Sequence, residues 1–181
     1  MNTLADDVVA RGRRVVLRRK RVSDAKDDYA WRSDEELARY DAVPPLRLTF
    51  PDFVASLQAQ LRYPDPARRS YAIEDEGGCH IGNAMYYNLR EATGEAELGI
   101  TIGARRYWGQ GYGSDAVQAL VKLVFREKGV RRMFLHTLDW NVRAQRCFRK
   151  AGFVPRGMVQ RDGRAFLVME RLQTLERTAS R

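Results

Sequence analysis

Between residues 105 and 114 the chain reads Arg105-Arg106-Tyr107-Trp108-Gly109-Gln110-Gly111-Tyr112-Gly113-Ser114, three alternate glycines behind a pair of arginines. Alternate glycines remove the Cβ atoms that screen the main chain, so successive N–H groups can converge on one point. If a helix starts where such a loop ends, its free amides and the positive end of its dipole, about half an elementary charge, add to the same spot. The chemistry that fits is the grip of an anion, a pyrophosphate in particular. Arg105 and Arg106 stand ready to add charge beside it. The plain alternative is a tight turn that needs positive φ and nothing more.

A loop of this kind needs a strand to enter it and a helix to leave it. Ahead of it, period-two segments at 70–74, 80–88 and 95–102, separated by Glu76-Gly77-Gly78 and Glu91-Ala92-Thr93-Gly94, predict an antiparallel meander. Behind it, Val117, Leu120, Val121, Val124 and Phe125 fall on one face of a helix over 114–128, with Gly129 as its stop. A strand over 131–138, a helix over 141–151, a strand over 153–160 and, after an Asp162-Gly163 turn, a strand over 165–172 complete the second half. Upstream, residues 13–18 read as a strand, Ser23 and Asp24 cap a helix running to Tyr40, and a short helix from Asp52 carries Phe53, Leu57 and Leu61 on one side. A meander followed by β-α-β units defines a mixed α/β class built on one sheet.

At 181 residues, 44% hydrophobic and 10% aromatic, the chain is expected to be one domain, 1–181, with its core at about 12–172 and tails at 1–11 and 173–181. No apolar run approaches the ~20 residues of a membrane span, and the first residues lack the apolar stretch of a secretory signal. Cys79 and Cys147 are too far apart to frame a disulfide scaffold or a metal site, so no metal is expected and the cytoplasm is the expected compartment. The net charge of +9 is uneven: residues 105–181 carry +11 and residues 1–104 carry −2. A polyphosphate ligand held by the second half explains this more sharply than nucleic acid, for which no binding at physiological salt is expected; a solvated basic face is the plain alternative.

Two other phosphate-binding patterns compete for the loop. Gly111-x-Gly113-x-x-Ala116, with Asp139 downstream, has the form of a dinucleotide fingerprint, but that motif belongs in a first β-α turn and here a meander precedes it. A P-loop needs Gly-Lys-Ser/Thr at its end, and none is present. Arg106-x-x-Gly109-x-Gly111 between strand and helix instead resembles the signature of the GNAT superfamily of acyl-CoA N-acyltransferases. The resemblance runs from Gly12 to Leu172 and is closest to the branch of ribosomal-protein alanine/serine N-terminal acetyltransferases and polyamine acetyltransferases. Its marks are Val16-Leu17-Arg18 and Asp24, Trp31 with Asp34 and Glu36, Ala96-Glu97-Leu98-Gly99-Ile100, Tyr107 to Gly113, Asn141-x-x-Ala144, Gly152-Phe153 and Arg161-Asp162-Gly163.

The resemblance implies a GNAT fold, with a single central, mostly antiparallel and splayed sheet flanked by helices, and acetyl-CoA as co-substrate. It implies that Arg106, Trp108, Gly109, Gln110, Gly111, Tyr112, Gly113 and Ser114 hold the coenzyme pyrophosphate. Ile100, Thr101 and Ile102 would pair with the pantetheine arm where the sheet parts. Asn141, otherwise a plain helix N-cap, would contact that arm. Direct N-acetylation needs an amine stripped of a proton, and Glu97, which interrupts an apolar strand beside the cleft, is the candidate base, acting directly or through a water; a surface ion pair is its alternative. Where the family often carries a tyrosine to protonate the departing thiolate, this chain has Phe148, which leaves Tyr107, Tyr112, water or no acid. Cys147, His80 and His136 are read as structural.

In the family the acceptor groove is roofed by the first two helices and the last hairpin. Seven acids against three bases between Val22 and Val43 would draw a cationic amine there, although the dipole also favours acids near a helix N-terminus. Trp31, Glu36 and Tyr40 are the candidate groove residues. The expected reaction moves an acetyl group from acetyl-CoA to a primary amine: a peptide or protein N-terminus first, a polyamine or other small amine as the alternative. A non-catalytic acyl-CoA sensor is the non-enzyme reading. Neither nucleic acid nor membrane is an expected partner, and the resemblance admits a homodimer.

Overall fold

The computed structural model describes residues 7–127 and 129–174. Eight strands make one sheet in the order β1-β2-β3-β4-β5-β6-β8-β7. Strands β1 (Val8–Arg11), β2 (Val15–Arg19), β3 (Arg69–Asp75), β4 (His80–Arg90) and β5 (Glu95–Ile102) are successive antiparallel neighbours. Strand β6 (Arg132–Leu138) runs parallel to β5, and the hairpin of β7 (Val154–Arg161) and β8 (Arg164–Leu172) completes the sheet antiparallel. The helices are α1 (Ala25–Ser33), α2 (Glu35–Tyr40), α3 (Phe50–Arg62), α4 (Tyr112–Glu127) and α5 (Val142–Lys150). No helix among the described residues is long and apolar enough to cross a membrane.

This is the expected mixed sheet, with three differences in the first half. Residues 8–11, assigned to a tail, form the edge strand β1; a four-residue run with a bulge in its register offers too little period-two signal to be read. The helix expected up to Tyr40 is two helices, because Asp34 leaves the helical region at ψ 124° and its carboxylate accepts from the Leu37 N–H at 2.9 Å, capping a new start. Helix α3 begins at Phe50 rather than Asp52, since Thr49 caps it and Pro51 fits its first turn.

Helix α4 lies against β1, β2, β4 and β5, and its expected stripe is the core: Val117, Leu120, Val121 and Val124 are buried together with Leu17, Ile73, Ile81 and Leu98. Each such side chain contributes about 1.5–3 kcal/mol relative to exposure, which fixes where α4 starts and therefore where the glycine loop must end. The feature that makes a site is an interruption in the sheet. Strands β5 and β6 pair at Glu95–Arg132, Ala96–Met133 and Glu97–Phe134. They then part, although β5 continues to Ile102 and β6 to Leu138. Two strand edges that no longer pair with each other therefore face across a gap.

Candidate active site

The glycine loop stands at the mouth of that gap. Gly109 and Gly111 have φ of +74° and +92°, and a Cβ on either would meet nothing within 4 Å. Positive φ is thus required, as the turn reading holds, but the space above these residues is also open, as a ligand cradle requires. The loop is pinned from behind. Arg14 donates to the Gln110 carbonyl at 2.9 Å and to the Tyr112 hydroxyl at 2.6 Å, and the Trp108 indole N–H donates to the Ile102 carbonyl at 2.6 Å. The Gln110 side chain folds back onto the Arg106 carbonyl.

What this loop presents is therefore main chain. The side chains of Gln110 and Tyr112 are turned away from the cleft, and Arg106 lies against Cys79 Sγ and the Tyr107 hydroxyl. Arg105, expected to add charge, is held by Asp34 at 2.7 Å and Glu36 at 2.8 Å. Among the cations that line the cleft, α5 supplies Arg143, Arg146 and Lys150, beside Arg32 and Arg68 from elsewhere in the chain. The cleft measures about 820 Å³ and is also lined by Trp31, Tyr40, Ile100, Thr101, Ile102, Trp108, Gly109, Gly111, Gly113, Ser114 and Asn141. Asn141 Oδ1 accepts from the Ala144 N–H at 3.2 Å, so its cap role is occupied while its side chain borders the cleft.

Glu97 is buried behind this wall rather than on it. Its carboxylate faces His136 Nδ1 at 2.7 Å and accepts from Asn88 Nδ2 at 3.0 Å. The Tyr87 hydroxyl also turns toward it: burial first, and then this carboxylate, push the Tyr87 pKa up, which keeps the phenol protonated. His136, read from sequence as structural, lines the cleft. Its lone position on a strand gave no signal, because the partner that gives it meaning is 39 residues away on β5.

The remaining groups expected to handle protons are committed elsewhere. Tyr107 donates to Asp75 at 2.6 Å, and Tyr112 is buried and bound to Arg14. Phe148 packs edge-on against Phe153 at 6.1 Å. Burial pushes the Cys147 thiol up, which works against a thiolate nucleophile.

The acids between Val22 and Val43 are mostly structural, which corrects the expectation of a broad acidic lure. Asp24 is bound by Arg18 at 2.7 Å, Asp28 by Lys20 at 2.5 Å, and Asp34 and Glu36 by Arg105. Glu36 accordingly does not line the cleft, whereas Trp31 and Tyr40 do. Among the described residues, Asp41 is the carboxylate that faces the cleft without a salt bridge. It accepts from Thr101 Oγ1 at 2.9 Å, and crowding by the cleft walls raises its pKa, with Thr101 and Arg32 pulling the other way. Trp31 packs flat on Gly103, where any Cβ would overlap the indole.

Two contacts close the groove from above. Tyr40 stands edge-on to Trp108 at 5.7 Å and beside Trp140 at 5.5 Å, with the Arg143 guanidinium 3.5 Å over the Trp108 ring. At the hairpin end, Arg164 donates to the Ala42 carbonyl at 2.6 Å, tying β8 to the turn after α2.

Compared with known proteins, residues 14–154 match the family model of the acetyltransferase (GNAT) domain. The chain belongs to the GNAT family of acetyl-CoA-dependent N-acetyltransferases. It is 40% identical over 73 residues to a kanamycin resistance protein of Rhizobium radiobacter, a stretch that is 40% of this chain and 68% of that protein. It is likewise 40% identical over 73 residues to aminoglycoside N(6')-acetyltransferase type 1 of Klebsiella pneumoniae, but there the stretch spans only 36% of the relative's length. Its fold is shared with the spermidine N-acetyltransferase of Vibrio cholerae, solved with CoA and spermine, at a TM-score of 0.78 and 19% identity over 88% of this chain and 96% of that one. No group of His, Cys, Asp or Glu among the described residues is arranged to hold a metal ion.

Proposed function

We propose that this protein, acting as one catalytic domain in the cytoplasm, moves the acetyl group of acetyl-CoA onto a primary amine of a small polycation, of the polyamine or aminoglycoside kind. The observation that carries the reading is a cleft that joins an open cradle of main-chain N–H groups to an exposed carboxylate, Asp41, which has no salt bridge among the described residues. The amides of Gly109 to Ser114 hold the coenzyme pyrophosphate, the α5 cations support its charge, and the free edge of Ile100 to Ile102 and Asn141 take the pantetheine arm. Asp41 attracts the cationic acceptor, and Trp31 and Tyr40 bound its apolar parts. A small acceptor is favoured over a peptide N-terminus because the Arg164–Ala42 tie and the Tyr40 stack roof the groove. The named activities of the relatives point the same way.

The test is coenzyme A release from acetyl-CoA over a panel of spermine, kanamycin and a short peptide with a free α-amine. Spermine or kanamycin is expected to outpace the peptide. Asp41→Asn is expected to raise the acceptor KM about tenfold, in line with the ~1–3 kcal/mol of a charged hydrogen bond, with coenzyme affinity unchanged. A faster peptide would restore the N-terminal reading, and binding without turnover on any acceptor would make the domain a sensor.

A further inference from the structure

We infer that the base for the acceptor ammonium is the imidazole of His136, and that Glu97 behind it is a positioning residue. The inference rests on the transferase reading above. His136 lines the cleft and Glu97 does not. On one side His136 Nδ1 meets Glu97 Oε1 at 2.7 Å; on the other, Nε2 meets Arg161 Nη2 at 3.0 Å. A carboxylate at Nδ1 and a guanidinium at Nε2 select one tautomer, with the proton on Nδ1 and the lone pair on Nε2. A neutral imidazole held with its lone pair outward is what removal of a proton requires.

A second observation comes from the backbone. Asn88 has φ +52° inside β4, where the register with β5 shifts between Tyr87 and Arg90. Asparagine enters this left-handed region more readily than other non-glycine residues, and here it accompanies the placement of the Asn88 amide on Glu97 Oε2 at 3.0 Å. Glu97 from β5 and Arg161 from β7 flank the His136 ring, and Asn88 from β4 braces the Glu97 carboxylate. Arg68 lines the same cleft, Phe134 meets the ring edge-on at 5.9 Å, and Glu170 on β8 is held by Arg132 and Arg156.

The proton balance is complete. The acceptor ammonium gives one proton to Nε2, and exposed Arg161 yields that position as the amine enters. The freed nitrogen forms the C–N bond with the thioester carbonyl carbon, and the C–S bond breaks. The second N–H proton leaves as the amide forms and is matched by the one taken up by sulfur, while His136 returns its proton to water.

The test is kcat/KM against pH for wild type, His136→Gln, Glu97→Gln and Asn88→Gly, with spermine and kanamycin as acceptors and coenzyme A titrated calorimetrically. His136→Gln is expected to fall about 10²- to 10⁴-fold, to lose the acid limb of the wild type, and to bind coenzyme A within twofold. Glu97→Gln is expected to keep the limb but displace it, with a smaller fall, and Asn88→Gly to displace it less. Added imidazole is expected to rescue His136→Ala, which a packing role would not allow. If His136→Gln keeps the wild-type limb, or if Glu97→Gln alone abolishes it, the assignment to His136 is overturned while the transferase reading stands. If the wild type transfers acetyl to no amine, both fall.

Discussion

Gly111 is the single residue on which the proposed donor site depends most directly. Its φ of +92° and the empty space above it mean that any side chain there both strains the backbone and enters the cradle. Gly111→Glu is expected to weaken coenzyme A binding at least ~100-fold in calorimetry, since a carboxylate would stand where main-chain donors converge on a pyrophosphate. Undiminished affinity would remove the phosphate assignment. The loop was legible in the sequence as three alternate glycines ahead of a helix, a pattern shared by a tight turn and an anion cradle. The sequence did not show which atoms of the loop face the cleft. Tyr112 and Arg106 are turned aside by Arg14 and Cys79, partners 98 and 27 residues away, while the Gln110 side chain folds onto the nearby Arg106 carbonyl. His136 was hidden for the same reason, since only the parallel pairing of β5 with β6 brings it beside Glu97.

At the scale of elements, the cradle depends on how α4 is moored. The Asp115 carboxylate, in the first turn of α4, accepts from the main-chain N–H groups of Arg13, Arg14 and Val15 at 2.9, 2.7 and 3.1 Å. Gly12 makes room for it, because a Cβ there would overlap the carboxylate. Asp115→Ala is expected to cost about 2–4 kcal/mol in denaturant unfolding, since it strands these donors. It should also weaken coenzyme binding by loosening Arg14; a midpoint shift without any loss of affinity would show that the mooring and the cradle are independent. The strands and α4 were readable from apolar period alone. The boundary at Asp34 was not, because a capping acid within a helix-forming run looks like a first-turn acid until the chain bends.

Across the whole molecule, α1 is joined to the sheet by buried ions: Arg18 with Asp24 and Glu74, and Lys20 with Asp28 and Asn83. Burial alone would raise the Asp24 pKa, but Arg18, the Arg21 N–H and Lys20 outweigh it and bring the carboxyl from 3.8 down to about 2. The folded chain therefore holds this proton more weakly than the unfolded chain. The contribution, on the order of 2 kcal/mol, is full above about pH 4 and is lost as pH falls toward 2. Thermal unfolding between pH 5 and 2 is expected to show this loss in the wild type. Asp24→Asn, less stable at neutral pH, should have a flatter profile, and parallel profiles would place the acid sensitivity elsewhere. The aromatic roof of the cleft has a consequence of another kind. All three tryptophans of the chain, Trp31, Trp108 and Trp140, stand in or beside the cleft, two of them under arginine guanidinium groups. The protein's ultraviolet emission thus originates at the proposed substrate cleft, and occupancy of that cleft is expected to be readable optically without attaching a dye.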